Sequence, residues 1–177
     1  MQTVKMVVTG PFAAGKTSFI RSVSEIDVVS TERKISSEAE RIKETTTVAM
    51  DFGRITVDDD LVLYLFGTPG QKRFDFMWEI LSEGMLGFIV TVDSTRPETF
   101  REAKGILQTF RAYAPTPYVV AANKQDLKDA WTVEDLRIAL KLDPAVKMLP
   151  CVAGDKESVK KILLELLYSI LEDMEKK

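Results

Sequence analysis

The sequence predicts an α/β fold, a mostly parallel, mixed sheet of six strands with helices on both faces. Three observations carry that reading. Short apolar runs of strand length alternate with amphipathic stretches of helix length along the chain. Two of the runs, Met85 to Asp93 and Tyr118 to Asn123, are continuous and end in polar residues, as central strands buried on both faces do when functional loops follow their carboxyl ends. One pair of runs is separated only by Asp58-Asp59-Asp60, a break short enough for an antiparallel hairpin, so one strand runs against the others.

In chain order, Thr3 to Thr9 reads as the first strand and Gly15 to about Ser24 as the first helix. Thr46 to Val57 and Leu61 to Phe66 form the hairpin, and Met85 to Asp93 follows as a central strand. Pro97 to Ala112 is a helix, Tyr118 to Asn123 the next strand, and Thr132 to Leu140 a weaker helix with Thr132 as its N-cap. Val146 to Val152 is the last strand and Asp155 to Met174 the closing helix. In that helix Val159, Ile162, Leu163, Leu166, Leu167, Ile170 and Leu171 recur at three-and-four spacing, an apolar face that docks on the sheet. Ser30 to Thr45 is polar and charged and forms the one long loop, a feature more often functional than a tolerated insertion.

Composition bounds the function. The 177 residues, 45% hydrophobic and 29% charged, have the balance of one soluble globular domain over the whole chain. The single cysteine, Cys151, has no partner within the chain and the start carries no secretory signal, so the expected address is the reducing cytoplasm. Cys151 itself reads as a buried strand residue rather than a reactive thiol. With no histidine, imidazole bases, serine/histidine hydrolases and histidine-ligated metals are excluded. Twenty-four basic against 27 acidic residues give a net charge of −3, which argues against nucleic acid as a partner. Apolar runs of about eight residues are far short of a membrane span, and no lipidation motif is present, so a direct membrane anchor is not expected.

Gly10-Pro11-Phe12-Ala13-Ala14-Gly15-Lys16-Thr17 fits the phosphate-loop pattern of glycine, four residues, glycine, lysine and a hydroxyl, placed between a predicted strand and a predicted helix. A phosphate needs several inward-pointing N–H donors, and glycine-permissive turns let the backbone curl around it. The following helix offers unsatisfied amides and its positive end, Lys16 a compact cation for the outer phosphates, Thr17 a hydroxyl for Mg2+, and Ser18 a further donor near the inner phosphate. The expected fold is therefore the three-layer sandwich of P-loop NTPases. Asn123-Lys124-Gln125-Asp126 ends an apolar run where ligand contacts belong in such sheets. The Asp126 carboxylate can accept from both the ring N–H and the exocyclic amine of guanine, a pair of donors adenine lacks. Alone the tetrapeptide is weak evidence; in order with the phosphate loop it is strong.

With those two motifs the sequence resembles the Ras-like small GTPases over essentially its whole length. Gly10 to Thr17, with Ala13 and Ala14, looks like the ADP-ribosylation-factor branch, while Thr47-Val48-Ala49-Met50-Asp51-Phe52 looks like the Rab switch I segment. Gly67-Thr68-Pro69-Gly70-Gln71 occupies the switch II position, and Pro150-Cys151-Val152-Ala153-Gly154 the last guanine loop. The resemblance is nearest to prokaryotic Ras-like GTPases of the gliding-motility and conservon kind, which work with roadblock/longin-type regulatory proteins. It implies GTP and GDP as ligands with Mg2+, Thr47 capping the γ-phosphate and the metal, the Gly70 amide on the γ-phosphate, Gln71 orienting the attacking water, and the Ala153 N–H beside Val152 meeting the guanine carbonyl. Loss of the γ-phosphate would release Thr47 and Gly70, the basis of a switch.

Two positions depart from the family. Gly67 stands where an aspartate usually holds a magnesium-bound water, which implies weaker Mg2+ affinity; Asp51, nearby in sequence, reads as a strand residue without a metal role. Phe12 replaces a small glycine and would obstruct an arginine supplied by a partner, which implies slow hydrolysis. Phe74, Phe76, Met77 and Trp78 after the switch are either a partner surface or packed helix residues. A GTP-dependent scaffold with negligible hydrolysis and a P-loop phosphotransferase are the competing functions; the latter leaves Asn123 to Asp126 unexplained.

Overall fold

The computed structural model describes residues 1–30, 50–70 and 75–177. Six full strands make the expected sheet: β1 (Gln2–Thr9), β3 (Asp51–Asp58), β4 (Leu61–Gly67), β5 (Gly87–Asp93), β6 (Tyr118–Asn123) and β7 (Lys147–Pro150). A two-residue strand, β2 (Val29–Ser30), pairs antiparallel with β3 at the edge, giving the order β2-β3-β4-β1-β5-β6-β7. β3 and β4 form the antiparallel hairpin around Asp59 and Asp60, with a register shift between Thr56 and Asp58. β4, β1, β5, β6 and β7 are mutually parallel.

Five α-helices are described: α1 (Lys16–Val23), α2 (Phe76–Ser82), α3 (Phe100–Tyr113), α4 (Val133–Ala139) and α5 (Lys156–Glu175). The helix expected from Pro97 opens with a 3-10 turn, Pro97–Thr99, before α3. Thr132 caps α4 as the sequence suggests, its hydroxyl accepting from the Asp135 amide, and Asp155 caps α5 through the Glu157 amide.

Apolar residues fill both faces of the sheet. On one side Phe19, Ile20 and the α5 residues Val159, Ile162, Leu163, Leu166, Leu167 and Ile170 pack on Met6, Leu65, Ile89 and Val119. On the other, Phe100, Ile106, Leu107, Phe110 and Leu136 pack on Val7, Phe88, Val90 and Val120. β5 is buried along its entire length, which is why its sequence is uninterrupted by polar alternation until its end. Two expectations need adjustment. Leu171 lies outside the buried face of α5, 43% exposed, so the face that packs on the sheet ends at Ile170. The last strand stops at Pro150; the Cys151 amide still donates to the Ala122 carbonyl at 2.8 Å, but Cys151 and Val152 belong to the loop that follows. Thr47, Gln71, Phe74 and nearly all of the long Ser30 to Thr45 segment lie outside the described residues.

Parallel pairing brings the carboxyl ends of β1, β4, β5 and β6 to one edge: Thr9 beside Val90, Val8 beside Gly67, Asp93 beside Asn123. β3 runs the other way, so its first residue, Asp51, reaches the same edge, directly opposite Gly67.

Candidate functional site

The loop between β1 and α1 is shaped by two glycines. Gly10 has φ 148° and Gly15 φ 98°, and Ala13 between them is also left-handed at φ 63°. A Cβ on Gly10 would stand 2.4 Å from the Thr91 carbonyl oxygen, and one on Gly15 2.2 Å from the Asn123 side-chain nitrogen. Both positions therefore need glycine for conformation and for space. The loop curls over the start of α1, where Ala14 is fully buried and Ser18 is exposed on the first turn. The Lys16 side chain, only 7% exposed, folds back so that its ammonium donates to the carbonyls of Gly10 and Pro11, each at 2.8 Å. An ammonium buried in a ring of backbone is a ready partner for an anion entering the same ring.

A second loop, after β6, is tied to the first. The Asn123 side chain donates to the Ala14 carbonyl at 2.8 Å and accepts from the Ala153 amide at 2.9 Å. The Lys124 ammonium donates to Asp93 Oδ2 at 2.7 Å and to the Ala13 carbonyl at 3.3 Å, with Lys124 itself held at φ 64°. Gln125 donates to the Ser94 hydroxyl and the Trp131 carbonyl, each at 2.8 Å, and its own amide donates to the Cys151 carbonyl at 3.2 Å. Asp126, which follows these anchors, is exposed, and Ala153 of the last loop is buried. The Ala153 N–H, expected to face a base carbonyl, donates to Asn123 here, so a bound base would have to share it.

Asp93 was not singled out by sequence, yet it anchors this network. It is 2% exposed and accepts from Lys124, from the Thr95 hydroxyl at 2.6 Å and from the Thr95 amide at 3.0 Å. Burial pushes its carboxyl up, but the bonds from Lys124 and Thr95 and the nearby ammonium outweigh that, holding it below the usual carboxylate value. A polar residue closing a fully apolar run was the available signal.

On the other side of the cradle a cavity of about 370 Å³ is lined by Phe12, Lys16, Thr17, Asp51, Thr68 and Gly70, among others. Gly70 leans on the loop: a Cβ there would be 2.8 Å from the Phe12 Cα and 2.9 Å from the Lys16 ammonium. Phe12 is 54% exposed at the mouth. Thr17 donates its hydroxyl to Asp51 Oδ2. Asp51 is 5% exposed, and its other oxygen, Oδ1, is buried without a hydrogen-bond partner among the described residues. The structure thus brings Lys16, Thr17, Ser18 and Gly70 to one cavity with Asp51, and ties Ala13, Ala14, Asn123, Lys124 and Ala153 together beside it.

Of the remaining features, Trp78 packs on Phe110 and donates its indole N–H to the Pro69 carbonyl at 3.2 Å, whereas Phe76 is exposed. The aromatic group thus divides between core and surface. Burial pushes the Cys151 thiol up to about 12, against a smaller opposing hydrogen bond from Ser158, as an inert buried cysteine should be. Among the described residues no helix is long and apolar enough to cross a membrane.

Comparison with known proteins gives the family of the chain. Residues 26–174 match the family described as "Conserved hypothetical ATP binding protein". An uncharacterized protein of Methanocaldococcus jannaschii is 33% identical over 131 residues, covering 74% of this chain and 76% of its own length. Human ADP-ribosylation factor-like protein 9 is 31% identical over 141 residues, 78% of this chain and 67% of that protein. The GTP-binding protein YPT1 of Saccharomyces cerevisiae is 32% identical over 136 residues, 73% of this chain and 66% of its own. The chain therefore belongs to the family that this match describes and, with Arf-like and Rab proteins among its homologues, to the P-loop GTPase superfamily.

Proposed function

We propose that the chain is a small GTP-binding protein, a single domain over residues 1–177, that binds GTP and GDP with Mg2+, hydrolyses GTP slowly and switches conformation for a protein partner. The observation that carries this reading is the joining of two loops into one frame. Asn123 bridges Ala14 and Ala153, and Lys124 bridges Ala13 and Asp93, so a phosphate cradle and a base-reading carboxylate are held at a fixed separation. Spacing of that kind, fixed at Asn123 and Lys124 with Asp126 two residues on, lets one ligand with an anionic tail and a purine head engage both loops at once.

In this reading the amides of residues 13 to 18 hold the phosphates, and Lys16 turns its ammonium from the Gly10 and Pro11 carbonyls toward the outer ones. Thr17 and Thr47 supply oxygens for Mg2+, which when bound neutralises charge on the phosphate oxygens. Asp51, whose Oδ2 meets Thr17 and whose buried Oδ1 has no hydrogen-bond partner among the described residues, fits a cation at this position. Gly70 gives its amide to the γ-phosphate and Gln71 orients the attacking water. Asp126 selects guanine by accepting from both donors of its edge. The family match, residues 26–174, leaves out the cradle and includes Asp126, so its description as ATP binding makes ATP the rival ligand against which Asp126 is tested.

Partner contact is supported by Phe76 and Ile80, both more than half exposed on α2 just after the switch. A roadblock/longin-type regulatory protein in the cytoplasm suits the resemblance. A scaffold that binds GTP with negligible hydrolysis is the second reading, favoured by Phe12, which stands beside Gly70 where an inserted arginine would need room.

Isothermal calorimetry with GDP, GTP and ATP tests the main reading. Micromolar or tighter binding of the guanine nucleotides, lost in Lys16→Ala with the fold retained, is the expected result; no heat, or equal uptake of ATP, overturns it. Single-turnover hydrolysis with and without the regulatory protein separates a switch from a scaffold.

A further inference from the structure

Position 67 has no side chain, and the space over it is already taken. A Cβ there would lie 2.9 Å from the Ile20 Cδ1, 3.1 Å from the Asp51 Cβ and 3.4 Å from Asp51 Oδ2. Asp51 is the residue paired with Gly67 across the β3–β4 ladder, and its carboxylate fills the volume that a longer residue at 67 would need. One oxygen of that carboxylate takes the Thr17 hydroxyl hydrogen, which leaves the hydroxyl's lone pairs for a cation. The other oxygen is buried with no donor among the described residues. A carboxylate taken out of water needs compensating positive charge or hydrogen bonds, and an oxygen without either marks where a hydrated cation would be stabilised.

We infer that Asp51 supplies, from the backward-running strand, the metal-facing carboxylate that position 67 lacks, and that with Thr17 it forms the protein's share of a Mg2+ site beside the phosphate cradle. The inference rests on the nucleotide-binding reading above. It replaces the expectation of weakened Mg2+ affinity with a definite one: affinity is retained, and its determinant sits at 51. The donor set suits the ion, since Mg2+ prefers hard oxygens, keeps several waters and takes only one or two protein ligands beside phosphate. It also suits the glycine, because a Cβ at 67 would stand 3.1 Å from the Asp51 Cβ and press on the end of the Ile20 side chain.

The test measures metal affinity apart from nucleotide affinity. The wild type and Asp51→Asn are loaded with a fluorescent GDP analogue in EDTA, and analogue release is followed as free Mg2+ is raised. Asparagine keeps the volume and an acceptor for Thr17 but loses the charge. The Mg2+ concentration that half-maximally slows release is expected to rise about tenfold or more in Asp51→Asn, as for other groups that support a metal site, while the release rate in EDTA stays within twofold. Mn2+ bound in the GDP complex, counted by electron paramagnetic resonance, should weaken in parallel.

An unchanged Mg2+ midpoint in a folded Asp51→Asn overturns the inference while leaving the nucleotide reading intact. Equal acceleration of release in EDTA and in Mg2+ overturns it as well, because the residue then acts on the nucleotide alone. If the wild type fails to bind the analogue under any condition, the nucleotide reading falls and the inference with it. Should Asp51→Asn not fold, the exchange Asp51→Gly with Gly67→Asp carries the test: Mg2+ dependence like the wild type supports the inference, and its loss overturns it.

Discussion

Replacing Asp93 by asparagine should destabilise the protein without changing its volume. The carboxylate accepts three hydrogen bonds, and asparagine at the same place keeps an oxygen for the Thr95 amide and hydroxyl. What it loses is the 2.7 Å bond from the Lys124 ammonium, toward which it would present an N–H. A charge-assisted bond of this kind is worth about 1.5–3 kcal/mol. The larger cost of about 3–5 kcal/mol, known where a buried charge is stranded, does not apply in full, since Lys124 is 32% exposed and can turn to water. The expected loss is about 2 kcal/mol, or about 4–8 °C in Tm at this chain length. Its pH dependence is a second check. The folded carboxyl lies below its ordinary value, so its contribution is present above the unfolded pKa and lost as pH falls through the lower, folded one. Urea unfolding followed by circular dichroism, without nucleotide and in EDTA, should show the full gap between wild type and variant at pH 6 to 8, narrowing below about pH 4. A gap under about 0.5 kcal/mol at pH 7, or one that persists unchanged to pH 3, refutes the assignment of Asp93 as the anchor of Lys124.

Asp126→Asn should weaken GDP binding by about two orders of magnitude and shift preference toward xanthine nucleotides, because the amide swaps an acceptor for a donor; competition calorimetry decides, and an unaltered base preference counts against Asp126. Gly15→Ala should lower both Tm and nucleotide affinity, since its Cβ would collide with the Asn123 side chain that ties the two loops together; a variant that matches the wild type in both would remove that tie from the argument. At pH 8 a thiol shifted to about 12 is thiolate in only about one molecule in ten thousand. Native Cys151 should accordingly react with iodoacetamide at least about a hundredfold more slowly than in urea, as read by mass spectrometry, and equal rates would contradict its burial.

How much of this was legible in the sequence depends on whether a feature is local. The parallel sheet, its backward strand and the cradle at residues 10–17 are written in contiguous runs, and Tyr118–Asn123 falls on the strand foreseen for it. Thr132 as a cap is likewise a matter of a few neighbouring residues. The boundaries that moved did so where burial, not pattern, decides: Leu171 continues the spacing of its helix but is 43% exposed. The aromatic group at 76–78 could not be divided into core and surface from composition, because Trp78 finds Phe110 only once α2 lies across α3. Asp93 was hidden for the same reason, its partner Lys124 being brought beside it by parallel pairing of β5 with β6.

Asp51 is the instructive case, because the pattern pointed away from it. Read by motif, it sits in a strand and Gly67 is a deletion of function. Read by register, the two are one position, since a sheet edge collects the carboxyl ends of its parallel strands and the amino end of an antiparallel one. A side chain needed at that edge can enter from either, provided the facing residue makes room, and the glycine at 67 spares Asp51 a Cβ that would stand 3.1 Å from its own. What the site constrains is therefore a point in space beside Thr17 and the cradle, and two strands of opposite direction offer two places in the chain from which to reach it. An aspartate introduced at 67 with Asp51 retained should accordingly lower stability, because the added side chain would crowd Ile20 and set two carboxylates against each other with one Thr17 hydroxyl between them.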